Sequence, residues 1–109
     1  MSIDALRRRV DELDRRLVRL LNERATLALQ IAAEKRAAGM PLNSPGRERE
    51  VLGNVSANNP GPLDPDAICR IFKAIIAECL RLEEVMVCDR GDEAGGHPSP
   101  DSRGEREAG

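Results

Sequence analysis

The chain has 109 residues, a formal net charge of -2, one phenylalanine and neither tryptophan nor tyrosine. A chain of this length forms one small domain, whose core must here be built from leucine, isoleucine, valine and alanine. The near-neutral charge argues against a general nucleic-acid binder, the lack of a long apolar run argues against a membrane protein, and the lack of alternating apolar residues argues against a sheet. The composition therefore predicts a soluble, all-α protein.

The first predicted helix is long and runs from about Ser2 to Ala38, where Gly39 and Pro41 end it. Its apolar residues recur every three or four positions and are called here the apolar stripe: Ile3, Leu6, Val10, Leu13, Leu17, Leu20, Leu27 and Ile31. At about 1.5 Å per residue this helix would be on the order of 50 Å long, and so small a chain cannot cover it. We therefore expect a dimer that buries the stripe.

Two shorter helices are predicted after the first. The second covers about 45–55, with Arg47 as an alternative start, and the third covers about 65–87, behind an aspartate that would cap it. Residues 89–109 contain glycine, proline, serine and mixed charges but no aliphatic residue larger than alanine, so burial cannot offset the entropy of ordering them. The predicted organisation is a helical domain over 1–88 and a disordered polar tail over 89–109.

Few residues could carry metal, redox or nucleophilic chemistry. Cys69, Cys79 and Cys88 are odd in number and widely spaced, which fits neither a disulfide framework nor a zinc site, so we expect reduced thiols. His97 is the only histidine and lies in the polar tail, which argues against a metal site or a Ser-His-Asp triad. The N-terminus turns charged within a few residues and has no apolar signal core, so the expected compartment is the cytoplasm.

Charged residues interrupt the apolar face of the first helix. Arg24 occupies a position in the stripe, and an unpaired guanidinium is costly to bury, so an anionic partner is expected. Lys35 lies eleven residues after Arg24, close to three turns, and points the same way. Arg7 lies about 25 Å from Arg24 along the helix, but an antiparallel partner helix would bring its own Arg7 beside Arg24. The expected dimer would thus complete a cationic pocket.

The other two helices carry charges at comparable positions. Arg47 and Glu48 share the face that Val51 and Leu52 define in the second helix, and Glu83 falls on the apolar face of the third. With the cations of the first helix, these residues would surround a small polyanion that also carries a hydroxyl group.

Several short segments lie at a characteristic spacing along the chain. They are Ala5-Leu6-Arg7, Leu13-Asp14, Leu20-Leu21-Asn22-Glu23-Arg24, Lys35 with Pro41, Arg47-Glu48, and Ile71-Phe72 leading to Glu83. Together they resemble the all-helical, or type II, chorismate mutases over about 3–84. No single segment is specific, whereas the joint spacing of the charged residues is. The resemblance implies subunits of three helices, long, short and long, that form an intertwined homodimer.

The resemblance also implies an isomerase that converts chorismate to prephenate in aromatic amino-acid biosynthesis. This Claisen-type rearrangement is unimolecular and requires no covalent intermediate, metal or organic cofactor. Chorismate carries two carboxylates and a hydroxyl, and it must adopt a compact diaxial conformer before its breaking C–O bond and forming C–C bond align. Holding that conformer is an orientation effect, and stabilising charge on the ether oxygen is an electrostatic effect.

The family's functional positions transfer to eight residues of this chain. Arg24 would bind the enolpyruvyl carboxylate, and Arg7 of the partner subunit would contact the other carboxylate region. Lys35 would contact a carboxylate and the ether oxygen, and Glu83 would donate a second hydrogen bond to that oxygen, which requires a protonated carboxyl. The remaining four would line the pocket, with Glu48 at the ring hydroxyl and Arg47 at the loop and the carboxylate side. Ser44 lies where some relatives have an acidic residue near the ring hydroxyl. Cys79 lies where some have a small side chain with a hydroxyl group.

Two other functions stay open. Isochorismate pyruvate lyase shares this fold and almost the same cations, so only a product assay separates it from a mutase. A non-catalytic helical dimerisation or regulatory module would keep the scaffold, show no turnover and tolerate Arg24→Ala. For each charged residue taken alone, a surface charge or an ordinary ion pair is the simpler interpretation, and only the joint spacing favours a pocket.

Overall fold

Three α-helices in the order long, short, long make up the computed structural model, which describes residues 2–91 and the side chains of residues 2–86. Helix α1 spans Ile3–Ala37, α2 spans Pro45–Ala57 and α3 spans Pro65–Gly91. No strand occurs within the described residues. The predicted all-α fold of three helices is therefore confirmed.

Side-chain caps fix the starts of all three helices. The side-chain oxygens of Ser2, Ser44 and Asp64 each accept a hydrogen bond from the backbone N–H three residues later, at 3.0, 3.4 and 2.7 Å. Each cap satisfies one of the N–H groups that a first helical turn leaves without a partner. Pro45 and Pro65 follow two of the caps, at the position where a missing N–H costs least. Each helix therefore begins where its local sequence predicts.

The helix ends agree less closely with the predictions. Gly39 has φ 73°, a left-handed conformation that favours glycine, and it ends the turn after α1 as predicted. Helix α2 continues to Ala57, two residues beyond its predicted end, and α3 continues to Gly91, four residues beyond. Beyond the predicted ends, the first glycine or proline is Pro60 for α2 and Gly91 for α3. Helix α2 therefore continues until a proline is near, and α3 continues to the last residue that the structure describes.

Helix α3 packs against both α1 and α2 around a small core. Among the described residues only Ala32, Val51 and Cys79 are buried, one from each helix. The apolar stripe of α1 remains exposed, and even the central residues Leu17 and Leu20 are 54% and 57% accessible to solvent. A single chain thus leaves most of its large apolar side chains in water, which is unusual for a stable monomer.

Several predictions concern groups other than the helices. Cys69 and Cys79 are free thiols, as predicted. In the described part of the chain, no helix is long and apolar enough to cross a membrane, and no cluster of three or more His, Cys, Asp and Glu is arranged to hold a metal ion. The predicted polar tail lies, from residue 92 onward, outside the described residues. His97 and the side chain of Cys88 lie outside them too.

Candidate active site

A cavity of about 410 Å³ lies where α1, the loop that follows it, α2 and α3 meet. Its apolar lining includes Leu27, Ile31, Val51, Ile76 and Leu80. Seven of the eight predicted site residues also line it: Arg24, Lys35, Ser44, Arg47, Glu48, Cys79 and Glu83. The packing of three helices therefore brings together polar residues from distant parts of the sequence. Arg7 does not line the cavity.

Two cations face the cavity from α1. Arg24 and Lys35 are both half-buried and lie on either side of Leu27 and Ile31 along the helix. The Arg24 Nη1 donates to the Cys79 Sγ at 3.4 Å, and the Lys35 Nζ donates to a backbone carbonyl oxygen, that of residue 42, at 3.1 Å. Neither residue takes part in the ion pairs found among the described side chains. Two partly desolvated cations without a carboxylate partner attract an anion to this wall.

Glu83 reaches the same cavity from α3 and is half-buried. Burial raises the pKa of its carboxyl above the ordinary value; Lys35 and Arg24 act in the opposite direction, and Glu84 raises the pKa further. Desolvation of the charged form outweighs the attraction of the two cations. The carboxyl therefore keeps its proton to higher pH than an exposed glutamate and can serve as a hydrogen-bond donor.

Helix α2 and its N-cap form the third wall. Glu48 is half-buried, whereas Arg47 is exposed and its Nη1 pairs with the Glu50 Oε1 at 3.2 Å on the same helix. Because these two side chains are 65% and 67% accessible, the pair contributes little and is easily broken. The Ser44 Oγ accepts from the Arg47 N–H as the cap of α2, which leaves its own O–H free to donate. Arg47 therefore lies at the rim of the cavity.

Apart from the apolar helix residues, the lining contains three residues that were not predicted as site residues: Leu42, Asn43 and Lys73. Leu42 acts through its backbone carbonyl, and Asn43 belongs to a loop without periodicity, so neither gives a sequence signal. Lys73 could have been found, because it lies three, seven and ten residues before Ile76, Leu80 and Glu83 and so shares their face of α3. It adds a cation to the α3 wall.

The segment that forms this cavity is also the segment that a known family model matches. The model described as chorismate mutase type II matches residues 6–84. The chain belongs to the type II chorismate mutase family. The match includes Arg7 and every residue that lines the cavity. The cations and carboxylates described above therefore lie within the segment that the family model covers.

Curated proteins of similar sequence include bifunctional enzymes and a mutase named for a different substrate. The chain is 39% identical over 87 residues to a bifunctional chorismate mutase/prephenate dehydratase of Aquifex aeolicus. This match covers 76% of the chain and 24% of the Aquifex protein. The chain is 32% identical over 100 residues to a 4-amino-4-deoxychorismate mutase of Streptomyces pristinaespiralis, with coverage of 90% and 73%. The chain spans about a quarter of the length of the bifunctional relatives.

A solved structure from the chorismate mutase family has the same helical arrangement. Form II of the chorismate mutase from Thermus thermophilus matches with a TM-score of 0.74 and 41% identity, over 75% of this chain and 93% of that chain. Form I matches with a TM-score of 0.69 and 39% identity. Sequence and backbone geometry thus agree on the family across the three helices.

Arg7 is the one predicted site residue that this chorismate mutase family member keeps away from its own cavity. It is exposed and lies seventeen positions before Arg24, which corresponds to about 25 Å along α1. No side-chain rotation closes that distance. Arg7 therefore has no contact with the cavity of its own chain.

Proposed function

We propose that this chain rearranges chorismate to prephenate, the isomerase step of aromatic amino-acid biosynthesis. The observation that supports this best is that Arg24 and Lys35 share one cavity with Glu83, in a segment that belongs to the chorismate mutase family. The substrate offers two carboxylates to the cations and an ether oxygen to a hydrogen-bond donor. The rearrangement is unimolecular, so the mechanism requires no cofactor.

Arg24 and Lys35 bind and orient the substrate. Arg24 exchanges its weak contact with the Cys79 thiol for charge-assisted hydrogen bonds to the enolpyruvyl carboxylate. Lys35 moves its ammonium group from the backbone carbonyl of residue 42 to a carboxylate and the ether oxygen. Together they hold the compact diaxial conformer, in which the breaking C–O bond and the forming C–C bond align. The apolar lining between them excludes water and strengthens these contacts.

The ether oxygen gains negative charge as the C–O bond lengthens. Lys35 stabilises that charge directly, and a protonated Glu83 donates a second hydrogen bond to the same oxygen. Both groups are in place before the reaction, so the protein does not have to reorganise in the transition state. These two residues, with Arg24, are the proposed catalytic residues.

The α2 wall binds the rest of the substrate. Glu48 accepts a hydrogen bond from the ring hydroxyl, and Arg47 leaves its exposed pair with Glu50 to order the loop and contact the carboxylate side. Ser44 donates through its hydroxyl, and Cys79 provides a small side chain that leaves room for the ring. The Arg47 contact is the weakest of these, because its side chain lies exposed at the rim of the cavity.

A homodimer completes each site. The apolar stripe of α1 is exposed in one chain, and an antiparallel partner helix would bury it. The same partner brings its N-terminal segment back along α1, so that Arg7 of the partner subunit reaches the second carboxylate beside Arg24. The active unit is therefore an intertwined homodimer whose two cavities are each built from both subunits.

A direct assay separates the competing functions. The purified chain is mixed with chorismate, isochorismate or 4-amino-4-deoxychorismate, substrate loss is followed spectroscopically, and the products are identified by mass spectrometry. We expect prephenate from chorismate at a rate far above the uncatalysed one. Release of pyruvate from isochorismate would instead indicate a lyase, and preference for the amino substrate would indicate the activity named for the Streptomyces relative. No turnover of any substrate would favour a dimerisation module.

Activity is expected to decline as pH rises through the Glu83 pKa, which burial raises. Below that pKa the carboxyl is protonated and donates to the ether oxygen, and above it the carboxylate only accepts and repels the developing charge. Glutamine donates at every pH, so the kcat of Glu83→Gln should stay flat where that of the wild type declines. Rate profiles against pH check this, with the exposed Glu78→Gln on the same helix as control. Identical profiles for Glu83→Gln and the wild type would remove Glu83 from the ether contact.

The cytoplasm is the proposed compartment. Both described cysteines are free thiols, which is usual in reducing compartments. The proposed catalytic domain is 1–88, and the polar residues from 89 onward have no part in the mechanism.

A further inference from the structure

Lys73 lines the cavity from α3, but the proposed mechanism gives it no role. Lys73 is exposed, whereas Glu48, which lines the cavity from α2, is half-buried. Neither residue takes part in the ion pairs found among the described side chains. Both charges are therefore available to a ligand in the cavity.

The packing of α2 against α3 places Lys73 opposite Glu48. The two helices pack together and are joined only by residues 58–64, so they run antiparallel. The Cys69 Sγ lies 3.9 Å from the backbone carbonyl oxygen of Leu52, and this contact gives their register. Glu48 lies four residues, about one turn, before Leu52 on the same face of α2. Lys73 lies four residues after Cys69 on the same face of α3. In an antiparallel pair these two steps lead to the same level, so both residues reach the cavity at the same end.

The ring hydroxyl of the substrate would bind at this end of the cavity, because Glu48 is its proposed acceptor. A carboxylate by itself does not select a hydroxyl there. It also accepts from an amine, and an aliphatic amine is mostly protonated at neutral pH, which makes it the stronger partner for a negative charge. A cavity that prefers the hydroxyl therefore needs a second group that disfavours a cation.

We infer that Lys73 is a specificity-determining residue, whose ammonium group repels a protonated amine at the position of the ring hydroxyl and so makes the cavity select the hydroxyl. This role rests on the proposed function. A positive charge opposite Glu48 offsets the attraction of that carboxylate for a cation, whereas it changes the binding of an uncharged hydroxyl little. Specificity through repulsion of the wrong ligand is common in proteins.

The other cations of the cavity are less suited to this role. Arg47 is next to Glu48 in the sequence, but its guanidinium pairs with a carboxylate of its own helix and, in the proposed mechanism, moves to the carboxylate side of the substrate. Arg24 and Lys35 lie on the α1 wall, where the mechanism uses them for the carboxylates and the ether oxygen. Among the described lining residues, Lys73 is the cation without such a task, and it lies level with Glu48.

Two substrates and a series of charge variants test this role in the full chain. 4-Amino-4-deoxychorismate, for which the Streptomyces relative is named, carries an amine in place of the ring hydroxyl. The quantity measured is the ratio of kcat/KM for chorismate to kcat/KM for this amine. Both compounds carry the same carboxylates, so the general attraction of Lys73 for an anion cancels in the ratio, and so does any loss of folded protein.

The wild type is expected to prefer chorismate. Lys73→Gln removes the charge and keeps a side chain of similar length, and it should lower the ratio about fivefold, the effect of one charge in largely aqueous surroundings. Lys73→Glu reverses the charge and should lower the ratio about twentyfold, whereas Lys73→Arg should hold it within about twofold of the wild type. Arg70→Gln is the matched control and should leave the ratio unchanged, because Arg70 is also exposed on α3 but does not line the cavity.

Equal ratios in the wild type, Lys73→Gln and Lys73→Glu, or an equal fall in Arg70→Gln, would contradict the inference while conversion of chorismate still supports the proposed function. A wild type that prefers the amine would contradict both. If neither compound is converted, the proposed function is wrong. The ratio of the two dissociation constants, from calorimetric titration of the same variants, then tests the repulsion, and binding of neither compound would overturn it.

Discussion

Replacing Lys35 with alanine is expected to lower kcat by about a hundred- to thousandfold, the usual cost of removing a donor that stabilises developing negative charge. The Lys35 ammonium has no ion-pair partner among the described side chains, and its hydrogen bond to the backbone carbonyl of residue 42 does not neutralise it. In the proposed mechanism this charge acts on the ether oxygen, which gains negative charge only as the C–O bond breaks. Steady-state kinetics of prephenate formation measure the loss.

Lys73→Ala is the matched control, because Lys73 is the only other lysine and lines the same cavity from an exposed position on α3. Loss of a screened charge at the rim should raise KM by roughly threefold and leave kcat unchanged. If both variants lost kcat equally, the total positive charge of the cavity would matter more than contact with the ether oxygen. The role of Lys35 in the transition state would then be wrong.

Mixing Arg7→Ala with Arg24→Ala is expected to restore about a quarter of the wild-type activity, although each variant alone is impaired. Each substitution removes a charge-assisted contact with a carboxylate and should lower kcat/KM by about ten- to hundredfold. If each cavity uses Arg24 of its own chain and Arg7 of the partner subunit, a mixed dimer has one site with both arginines and one site with neither. Half of the dimers in a random mixture are mixed, so about a quarter of all sites are intact.

The control mixture combines Arg24→Ala with Arg47→Ala. Arg24 and Arg47 line the cavity of the same chain, so every site in a mixed dimer lacks one of them and no recovery is expected. Activity is measured after subunit exchange, and native mass spectrometry verifies the mixed species. Mixed dimers of Arg7→Ala and Arg24→Ala that gain no activity would show that Arg7 does not cross the interface.

The starts of the helices could be predicted because their signals are local. Ser2 and Asp64 each cap an N–H group three residues later, and Pro45 and Pro65 fit the first helical position. Such contacts involve residues close in sequence, and they form in any chain with that pattern. The ends of α2 and α3 were predicted too early, because a helix does not stop where its apolar pattern weakens.

The charged members of the site could also be anticipated, since each charge interrupts an apolar face. The behaviour of those charges could not be anticipated from the sequence. Burial raises the Glu83 pKa and two nearby cations lower it. The direction of the net shift depends on how deeply the carboxyl is buried and on how far it lies from the cations, which only the packed helices determine. Arg47 was expected to face inward, but its side chain lies at the rim and pairs with Glu50. The Leu42 carbonyl is a partner for Lys35 that no side-chain pattern could reveal.

The sequence by itself determined three helices, their starts, the exposed stripe of α1 and the positions at which cations and carboxylates interrupt apolar faces. Each of these follows from helical periodicity and capping, which act over a few residues. Only the tertiary structure decided which charges meet. Glu83 comes close to Lys35 and Arg24 because α3 packs on α1, while Arg7 is kept from the same cavity because a straight helix holds it about 25 Å away. Contacts between distant residues depend on how whole helices pack, and that information is not local.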